Sequence, residues 1–541
     1  MARTALPSRR TVLAGGLAGL AAASAAGASI SAMLRIRDDR PGLTVSPLVF
    51  GSNEIGVMDG GLPSAHLDRL AGVTARRLGG DLMTGYNWVT NATNAGKNHR
   101  QSNGAFLLEA LQIPRSLWTR PAVVIEAMHE ASLDLGARSL VTLPLAGYAA
   151  ADMNGPVSET DTAPSARFVP VRWALDRGAD DPVDPHVADM PQLLARLIAR
   201  YGDASGPRGI HAYALDNEPA LWFQNHPRLT PRRVTIRSFI ARSIEAARAI
   251  KALDPAAKVF GPASWGATGM VSFQNAPDWS EYRHYGTFLA AYLDAFRIAS
   301  EHDGRRLLDT LDVHWYAFHR LGDLFRHENG VLDEAALDAP RSLTEPGFRE
   351  DSWVPRAFRP QEQEGLGLPI LPSLAALAAR WFPGTALAVT EFNYGGAGRL
   401  ASGLAVADAL GRLAGAGVSF ASHWGSLDGW LREAYRLYRL PDASGRAFGG
   451  RVIPLEASIT GLSAHAAEDD TGLRLVLINR TRSPLALDIG FASGAPRHPA
   501  AAFGFDAVSG GTVALGDFPL DENGGWRLIL PPRSARRYDF A

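Results

Sequence analysis

Two glutamates that each follow an apolar run are the residues of this 541-residue chain best suited to acid chemistry. Glu218 follows the run 211–215 after Asn217, and Glu391 directly follows the run 386–390. Residues just past the carboxyl ends of parallel strands face one common mouth in a barrel. Hydrolysis of a glycosidic bond requires one carboxyl group that is protonated and a second that is ionised. The sequence therefore predicts a two-carboxylate glycoside hydrolase, without showing which glutamate has which role.

Polar and aromatic residues at or after the predicted strand ends are the candidate substrate ligands. The amide of Asn217 is placed to hydrogen-bond a sugar 2-hydroxyl, and aromatic rings stack on the apolar faces of sugars. His314 is interpreted either as a hydrogen-bonded core histidine or as a residue that orients a glutamate. The predicted substrate-binding set is Asn87, Trp88, Asn217, Trp222, His314, Trp315, Tyr316, Tyr394 and Trp424, with Trp265 and Trp430 as further aromatics.

The elements that must position these residues are eight apolar runs separated by segments with helical periodicity. Strands that alternate with helices predict a parallel sheet, and eight such units predict a closed (β/α)8 TIM barrel. For one intervening helix, isoleucines from 236 to 250 keep helical spacing and Asp254-Pro255 ends the pattern. The predicted barrel strands are 47–51, 74–80, 139–145, 209–215, 258–262, 311–315, 386–390 and 418–422.

The chain is predicted to divide into four parts. Strand-like runs separated by turns such as 523–525 replace the helical periodicity near the C-terminus, which predicts an antiparallel β-sandwich. Irregular stretches at 157–189 and 319–360 are expected to be long loops over the barrel mouth. The predicted parts are a twin-arginine-type signal peptide (1–28), N-terminal strands that join the sandwich (29–46), the catalytic barrel (47–440) and the β-sandwich (452–541).

Composition and charge exclude several classes of protein. The formal net charge is −1 without a basic block beyond the extreme N-terminus, which argues against a nucleic-acid partner. The chain has no cysteine, which excludes disulfides and thiolate chemistry. No cofactor is expected to be required, and the oxygen-rich segment 152–155 is interpreted as a plain turn and not as a cation site. A monomer is expected.

An N-terminal targeting segment predicts export. Arg9 and Arg10 precede a Gly- and Ala-rich apolar stretch that ends near Ala28, which is typical of a cleaved twin-arginine signal. The mature protein is expected to be periplasmic or extracellular, without a membrane span.

The chain resembles glycoside hydrolase family 44 from about residue 45 to residue 430. Several long motifs in the same order carry the resemblance: ARRLGG (75–80), TGYNW (84–88), NATNAG (91–96), ALDNEPALW (214–222), VFGP (259–262), LDVHWY (311–316) and VTEFNYGG (389–396).

This resemblance implies a barrel with a β-sandwich and a retaining endo-β-1,4-glucanase that acts on xyloglucan or other soluble β-glucans. It implies Glu218 as acid/base and Glu391 as nucleophile. Retention predicts carboxyl groups about 5–5.5 Å apart. The chain departs from the family pattern beside the cleft at Asp81, Met83, Val89 and His423, so substrate preference stays open.

Two alternatives remain from the sequence. A β-glycosidase acting on xylan, mannan or an envelope glycan would keep the chemistry and change the sugar. A carbohydrate-binding protein with a disabled barrel is the other, and it would be expected to lack one carboxylate, whereas Glu218 and Glu391 are both present.

Overall fold

The computed structural model describes residues 32–40, 42–56, 63–359, 365–442, 445–457, 459–494, 497–516 and 526–540. Within them, eight parallel strands close into a barrel in which neighbours in space are neighbours in the chain. This confirms the predicted (β/α)8 barrel. The strands are Gly51–Asn53, Ala75–Leu78, Arg138–Leu143, Ala212–Leu215, Lys258–Ser264, Thr310–Tyr316, Ala386–Asn393 and Phe420–His423.

A long helix follows each barrel strand and covers the outside of the sheet. In Ile236–Leu253 the side-chain oxygen of Thr235 accepts a hydrogen bond from the Ser238 amide at the start, and the helix ends at Asp254 before a proline. Its buried face includes Ile236, Ile240 and Ile250, as the periodicity predicts. The eight helices are Ser64–Ala71, Val123–Asp134, Met190–Tyr201, Ile236–Leu253, Phe288–His302, Ile370–Trp381, Leu400–Gly415 and Gly429–Arg439.

The first barrel strand was predicted too early in the chain. Pro47–Val49 forms a 3-10 turn, whose start is capped by the Ser46 side chain, and the strand begins only at Gly51. A proline favours the first position of such a turn because its φ angle is already fixed. Gly51 cannot carry a side chain here, since a Cβ would lie 2.4 Å from the carbonyl oxygen of Ala421.

The two stretches expected to be irregular loops contain short regular elements. Residues 157–189 include strands that pair in a small sheet with Tyr148–Ala150, and residues 319–360 include three short helices. Local hydrogen bonding therefore organises segments that have no clear sequence period. The elements in these stretches are Phe168–Arg172, Ala188–Asp189, Gly322–Asp323, Asp333–Asp338, Arg341–Thr344 and Val354–Phe358.

The remaining short elements lie in other connections of the barrel. The short helices are Asp81–Thr84, Phe106–Ala110, Trp222–Asn225, Gly266–Ser272 and Trp279–Tyr282, and the short strands are Thr93–Asn94, Ser102–Gly104, Gly155–Pro156 and Phe318–His319.

Two further sheets pack around a second hydrophobic core that includes Leu34, Leu475, Leu487 and Trp526. The six-stranded sheet contains Arg451–Val452, Leu462–Asp469, Gly472–Asn479, Ser534–Phe540, Pro499–Phe505 and Val513–Ala514. The four-stranded sheet contains Leu455–Ala457, Ala32–Ile36, Leu485–Phe491 and Trp526–Leu530.

The N-terminal strand gives this sandwich a mixed sheet. Ala32–Ile36 pairs antiparallel with Leu455–Ala457 and parallel with Leu485–Phe491, so among the described residues the predicted antiparallel sandwich is confirmed with one parallel pairing. A strand from the opposite end of the chain needs no hairpin, so its direction is not set by a turn. Later in the predicted segment 29–46, residues 43–45, which are also strand-like in sequence, form only a single bridge between Thr44 and Arg451.

Two sequence predictions fall outside the described residues, namely the signal segment 1–28 and the turn at 523–525. In the part of the chain that is described, no helix is both long enough and apolar enough to cross a membrane.

Candidate active site

Glu218 leaves the end of the fourth barrel strand in a constrained backbone conformation. Asp216 and Glu218 have φ angles of 66° and 42°, which non-glycine residues adopt at an energetic cost and chiefly at functional sites. The Asp216 carboxylate holds this turn by accepting hydrogen bonds from the Thr84 hydroxyl and the Leu145 amide. The amide of Glu218 donates to the Ala263 carbonyl at 3.1 Å. Neighbouring strands therefore hold Glu218 at the barrel mouth.

Glu391 lies inside the seventh strand, and not just past its end as predicted. The register between the sixth and seventh strands shifts here: Val313 pairs with Val389, and His314 pairs with Glu391. Thr390 is the extra residue of this β-bulge, and its hydroxyl is held by the Asp312 carboxylate at 2.7 Å. A bulge changes the direction of the side chains that follow it, and Glu391 thereby comes beside His314.

Three side chains hold the Glu391 carboxylate. Arg77 Nη1 donates to Oε1 at 2.7 Å, and the Tyr316 hydroxyl donates to Oε2 at 2.7 Å. His314 Nδ1 lies 3.5 Å from Oε2. The Glu391 side chain is only 6% exposed. Donors to both carboxylate oxygens fix the orientation of this side chain.

Glu218 lies close to Glu391 in a different electrostatic environment. A carboxylate oxygen of Glu218 lies within 4.8 Å of one of Glu391. Burial, followed by the negative charge of Asp81, raises the pKa of Glu218 to about 8. Arg77 opposes this shift, but it is bonded to Glu391 and not to Glu218. The site thus holds a protonated carboxyl group beside a carboxylate that accepts two strong hydrogen bonds.

His314 lies between the two glutamates. Its Nδ1 atom lies 2.8 Å from Glu218 Oε1 as well as 3.5 Å from Glu391. Burial, the largest cause, and the Arg77 charge lower the pKa of His314 to about 4, so its ring is neutral at neutral pH. Of the two sequence interpretations, the contact with Glu218 favours the one in which His314 orients a glutamate.

Arg77 is the central site residue that sequence reasoning did not include. It is fully buried on the second strand, where Nη1 also donates to Asn53 Oδ1 at 2.9 Å and Nη2 donates to Asn217 Oδ1 at 2.8 Å. A buried guanidinium is costly unless anions or acceptors surround it. An arginine pair inside an apolar strand was the available signal: its partner Arg76 points to the opposite side and binds Glu54.

Asn217 is held at the site by its neighbours. Trp222 Nε1 donates to the Asn217 carbonyl oxygen at 3.0 Å, and Arg77 holds the side-chain oxygen. The Nδ2 group therefore faces away from Arg77, with Asp81 Oδ1 at 3.5 Å. The long contact to Asp81 is the one hydrogen bond recorded for Nδ2 among the described residues.

The structure corrects several predicted substrate contacts, because the side chains are buried against protein. Trp88 and Trp315 are buried and donate to the Asp189 carbonyl and the Ser342 hydroxyl. Asn87 donates to the Ala150 carbonyl. These side chains offer no surface to a sugar and instead support the loops. The residues of the predicted set that are corrected in this way are Asn87, Trp88, Trp222, Trp315 and Tyr394. His314 is fully buried as well, and its recorded contacts are with the two glutamates.

A continuous row of five partly exposed rings begins beside Glu391, at the ring of Tyr316. Tyr316, Phe325, Phe318, Trp353 and Trp265 follow one another with centroid separations of 5.0, 6.0, 5.2 and 5.9 Å. We call these residues the aromatic row. Two of its members, Tyr316 and Trp265, were predicted as aromatics of the site. Phe325 and Trp353 come from the stretch 319–360 that is expected from the sequence to be a long loop, and Phe318 directly precedes it.

Trp424 lies beside the second strand. A Cβ on Gly80, which has a φ of 78°, would lie 2.5 Å from the indole of Trp424, so only glycine allows this close approach. The Trp424 side chain is partly exposed. Trp430 instead packs on Phe505 of the sandwich at a centroid distance of 6.0 Å, which places it at the interdomain contact.

A family model and individual relatives match this chain. The model of glycoside hydrolase family 44 matches residues 82–318. Endoglucanase A of Paenibacillus lautus is 34% identical over 531 residues, which is 95% of this chain and 73% of the relative. A xyloglucanase of the same family from Paenibacillus polymyxa, whose structure was solved with xyloglucan, is 33% identical in sequence and superposes with a TM-score of 0.85. The match covers 94% of this chain and 99% of the xyloglucanase chain.

The chain belongs to glycoside hydrolase family 44. A second relative, beta-mannanase/endoglucanase A of Caldicellulosiruptor saccharolyticus, is 36% identical over 521 residues. That alignment covers 90% of this chain but only 37% of the relative. The chain thus spans 37% of the length of this relative and 73% of that of the Paenibacillus lautus enzyme.

In the part of this family 44 glycoside hydrolase that the structure describes, one group of three side chains has the types and spacing to hold a metal ion. Its members are Glu218, His314 and Glu391. These residues are the acid pair and the histidine between them, whose ring nitrogen already contacts both carboxylates. At the turn 152–155, Arg167 donates to both carboxylate oxygens of Asp152 at 2.7 and 3.0 Å, so a guanidinium occupies the position of a cation. That no cofactor is required stays a prediction.

Proposed function

We propose that this family 44 member is a retaining endo-β-1,4-glucanase, with Glu218 as acid/base and Glu391 as nucleophile. The observation that carries the proposal is the separation of the two carboxyl groups, whose oxygens approach within 4.8 Å. Retaining enzymes place these groups about 5–5.5 Å apart, whereas inverting enzymes leave room for water at about 6.5–9.5 Å. The electrostatic difference between the two glutamates supports the assignment of roles.

In the first step, the Glu391 carboxylate attacks the anomeric carbon while the protonated Glu218 donates its proton to the glycosidic oxygen. The bond from the anomeric carbon to Glu391 forms as the glycosidic bond breaks, and the leaving chain departs with a hydroxyl group. The raised pKa of Glu218 keeps its proton available at neutral pH. Arg77 and Tyr316 hold Glu391 in position and give up hydrogen bonds as its charge is consumed.

In the second step, the ionised Glu218 takes a proton from a water molecule. The resulting nucleophile attacks the anomeric carbon, breaks its bond to Glu391 and restores the original configuration. Asn217 has an N–H directed away from Arg77 and is placed to hold the sugar 2-hydroxyl through both steps. His314 contacts both carboxyl groups and keeps their relative orientation.

We infer that the glucan chain lies between the aromatic row and Trp424. Trp265, at the end of the aromatic row opposite Tyr316, follows the fifth strand. The Ala263 carbonyl of that strand accepts a hydrogen bond from the Glu218 amide, so we place this end of the row on the side of the acid Glu218. Sugars of the leaving chain would stack there, and the retained sugars would lie near Trp424. Xyloglucan and soluble cellulose derivatives are the proposed substrates, because the named relatives are a xyloglucanase and endoglucanases.

The pH dependence follows from Glu218. Because its pKa is raised to about 8 and the protonated form is required, we expect kcat/KM to fall as the pH rises through about 8. The charged or titratable groups around Glu218 are Arg77, Asp81, His314, Tyr316 and Glu391. The measurement is kcat/KM on a neutral glucan from pH 4 to pH 10. Loss of activity already complete by pH 6 would contradict the assignment of the acid.

The test of substrate class is hydrolysis of a panel of neutral polysaccharides by the chain without residues 1–28. Viscosity of xyloglucan or hydroxyethyl-cellulose is expected to fall well before reducing ends accumulate, since internal cleavage shortens chains quickly. Faster hydrolysis of mannan or xylan than of either β-glucan would overturn the glucanase assignment. Release of short products without loss of viscosity would overturn the endo mode.

We also infer that the protein is exported by the twin-arginine route, supported by Arg9 and Arg10 before an apolar stretch. Replacing both arginines by lysine in the producing cell is expected to retain the full-length chain in the cytoplasm. Unchanged export of that double variant would contradict the route.

A further inference from the structure

A third carboxylate, Asp81, faces the same cleft. It begins the short helix Asp81–Thr84 just after Gly80, on the loop that follows the second strand. Its side chain is 22% exposed, which is more than that of either catalytic glutamate. The mechanism proposed above gives it no role.

Neutral or weakly charged donors surround Asp81. The amide nitrogens of Asn217 and Asn225 lie 3.5 and 3.4 Å from its two oxygens. His226 Nε2 lies 3.7 Å from Oδ1, and among the described residues it is the one basic side chain recorded within 4.0 Å. The long donor distances leave both oxygens with capacity to accept a further hydrogen bond.

The Asn217 amide separates Asp81 from Arg77. Arg77 binds the oxygen of that amide at 2.8 Å, and Asp81 lies on its nitrogen side. The Arg77 guanidinium is already committed to Glu391. The negative charge of Asp81 therefore faces the cleft without a guanidinium of its own.

We propose that Asp81 determines specificity for charge: it accepts a hydrogen bond from a hydroxyl of the neutral sugar bound beside Asn217 and excludes sugars that carry a carboxylate there. The inference rests on the proposed function, because it names the class of glycan that the same site accepts. A carboxylate that replaces the hydroxyl would meet a like charge in a partly desolvated position, where such repulsion is strong.

The protonation states support this proposal. Burial alone would raise the pKa of Asp81, but the neighbouring His226 and Asn225 side chains outweigh it and lower the pKa. Asp81 is therefore ionised near neutral pH, where Glu218 still holds its proton. The same charge contributes to the raised pKa of Glu218. Asp81 therefore affects both the charge of the sugar that is accepted and the pKa of the proposed acid.

The experiment compares two soluble celluloses that differ in charge, hydroxyethyl-cellulose and carboxymethyl-cellulose. At low ionic strength, Asp81→Asn is expected to lower the ratio of kcat/KM for the neutral polymer to that for the anionic polymer by about tenfold. The falling limb of the pH profile should also move to lower pH. Asp470→Asn removes a 77%-exposed carboxylate of the sandwich as the matched control and should leave the ratio unchanged.

Each outcome decides between the claims. An unchanged ratio in Asp81→Asn, with the wild type active on hydroxyethyl-cellulose, would overturn the role of Asp81 alone. A wild type inactive on both polymers would overturn the proposed function and this inference with it. Asp81→Ser removes the same charge with less volume and serves as the second variant if Asp81→Asn does not fold. Asp81→Glu, which keeps the charge, should retain the wild-type preference.

Discussion

Replacing Glu391 by glutamine is expected to lower kcat on xyloglucan or hydroxyethyl-cellulose by about 10⁴-fold or more, the scale on which loss of a covalent nucleophile acts in other enzymes. Glutamine keeps the volume and still accepts a hydrogen bond from Arg77 or Tyr316, but it cannot displace the leaving chain. The loss therefore measures nucleophilicity and not packing. The measurement is the initial rate of reducing-end release, with thermal unfolding to show that the variant is folded.

A smaller variant and a matched control complete the Glu391 experiment. Glu391→Gly opens space for azide, which is expected to restore turnover of an activated β-glucoside and to give the α-glycosyl azide. Glu433→Gln changes another buried glutamate, which binds the Thr512 amide at the sandwich, and should leave kcat within a few-fold of the wild type. Azide rescue that yields a β-product would contradict the role of Glu391.

Replacing Glu218 by glutamine is expected to slow polysaccharide hydrolysis by about 10²- to 10⁴-fold, the usual contribution of a general acid. The loss should depend on the leaving group, because dinitrophenolate departs without a proton. On dinitrophenyl β-cellobioside we therefore expect a burst of the phenolate followed by slow turnover, since the second step still needs a base. The measurement is stopped-flow absorbance on both types of substrate.

The pH profile provides the control for Glu218. With the acid removed, kcat/KM for the dinitrophenyl substrate should no longer fall as the pH passes about 8. Equal losses on the polysaccharide and on the activated substrate would show that Glu218 acts in folding or binding and not as the acid.

The sequence was sufficient to predict the barrel and to place its two glutamates on strands that meet at one site, although Glu391 lies inside its strand and not after it. Glu218 and Glu391 each follow an apolar run, and such a position is costly for a charge unless it serves chemistry. Counting runs gave the right number of strands. Their limits were less accurate: the first strand starts at Gly51 and not at Pro47, because the proline begins a capped turn.

Side-chain direction was the part that sequence could not provide. Trp88 and Trp353 are both tryptophans in connections of the barrel, but Trp88 is buried on the Asp189 carbonyl whereas Trp353 belongs to the partly exposed aromatic row. Nothing in their local sequence indicates which of the two is buried, since burial depends on packing between distant segments. The bulge at Thr390 is likewise set by pairing with the sixth strand.

Arg77 illustrates a signal that was present but not used. An arginine within a buried strand needs an anion or several acceptors close by. Its three acceptors come from the first, fourth and seventh strands, so only the closed barrel identifies them. Its position in the strand indicates a functional cluster, whereas its link to Glu391 required the fold.

The configuration of the first product tests the account most directly. Proton NMR of xyloglucan or hydroxyethyl-cellulose during the first minutes of hydrolysis reports which anomer is released before mutarotation equilibrates the two. Two carboxyl groups whose oxygens approach within 4.8 Å predict that the β-anomer appears first and that the α-anomer grows in later. Initial release of the α-anomer would require a water molecule between the glutamates and would contradict the role of Glu391 as nucleophile.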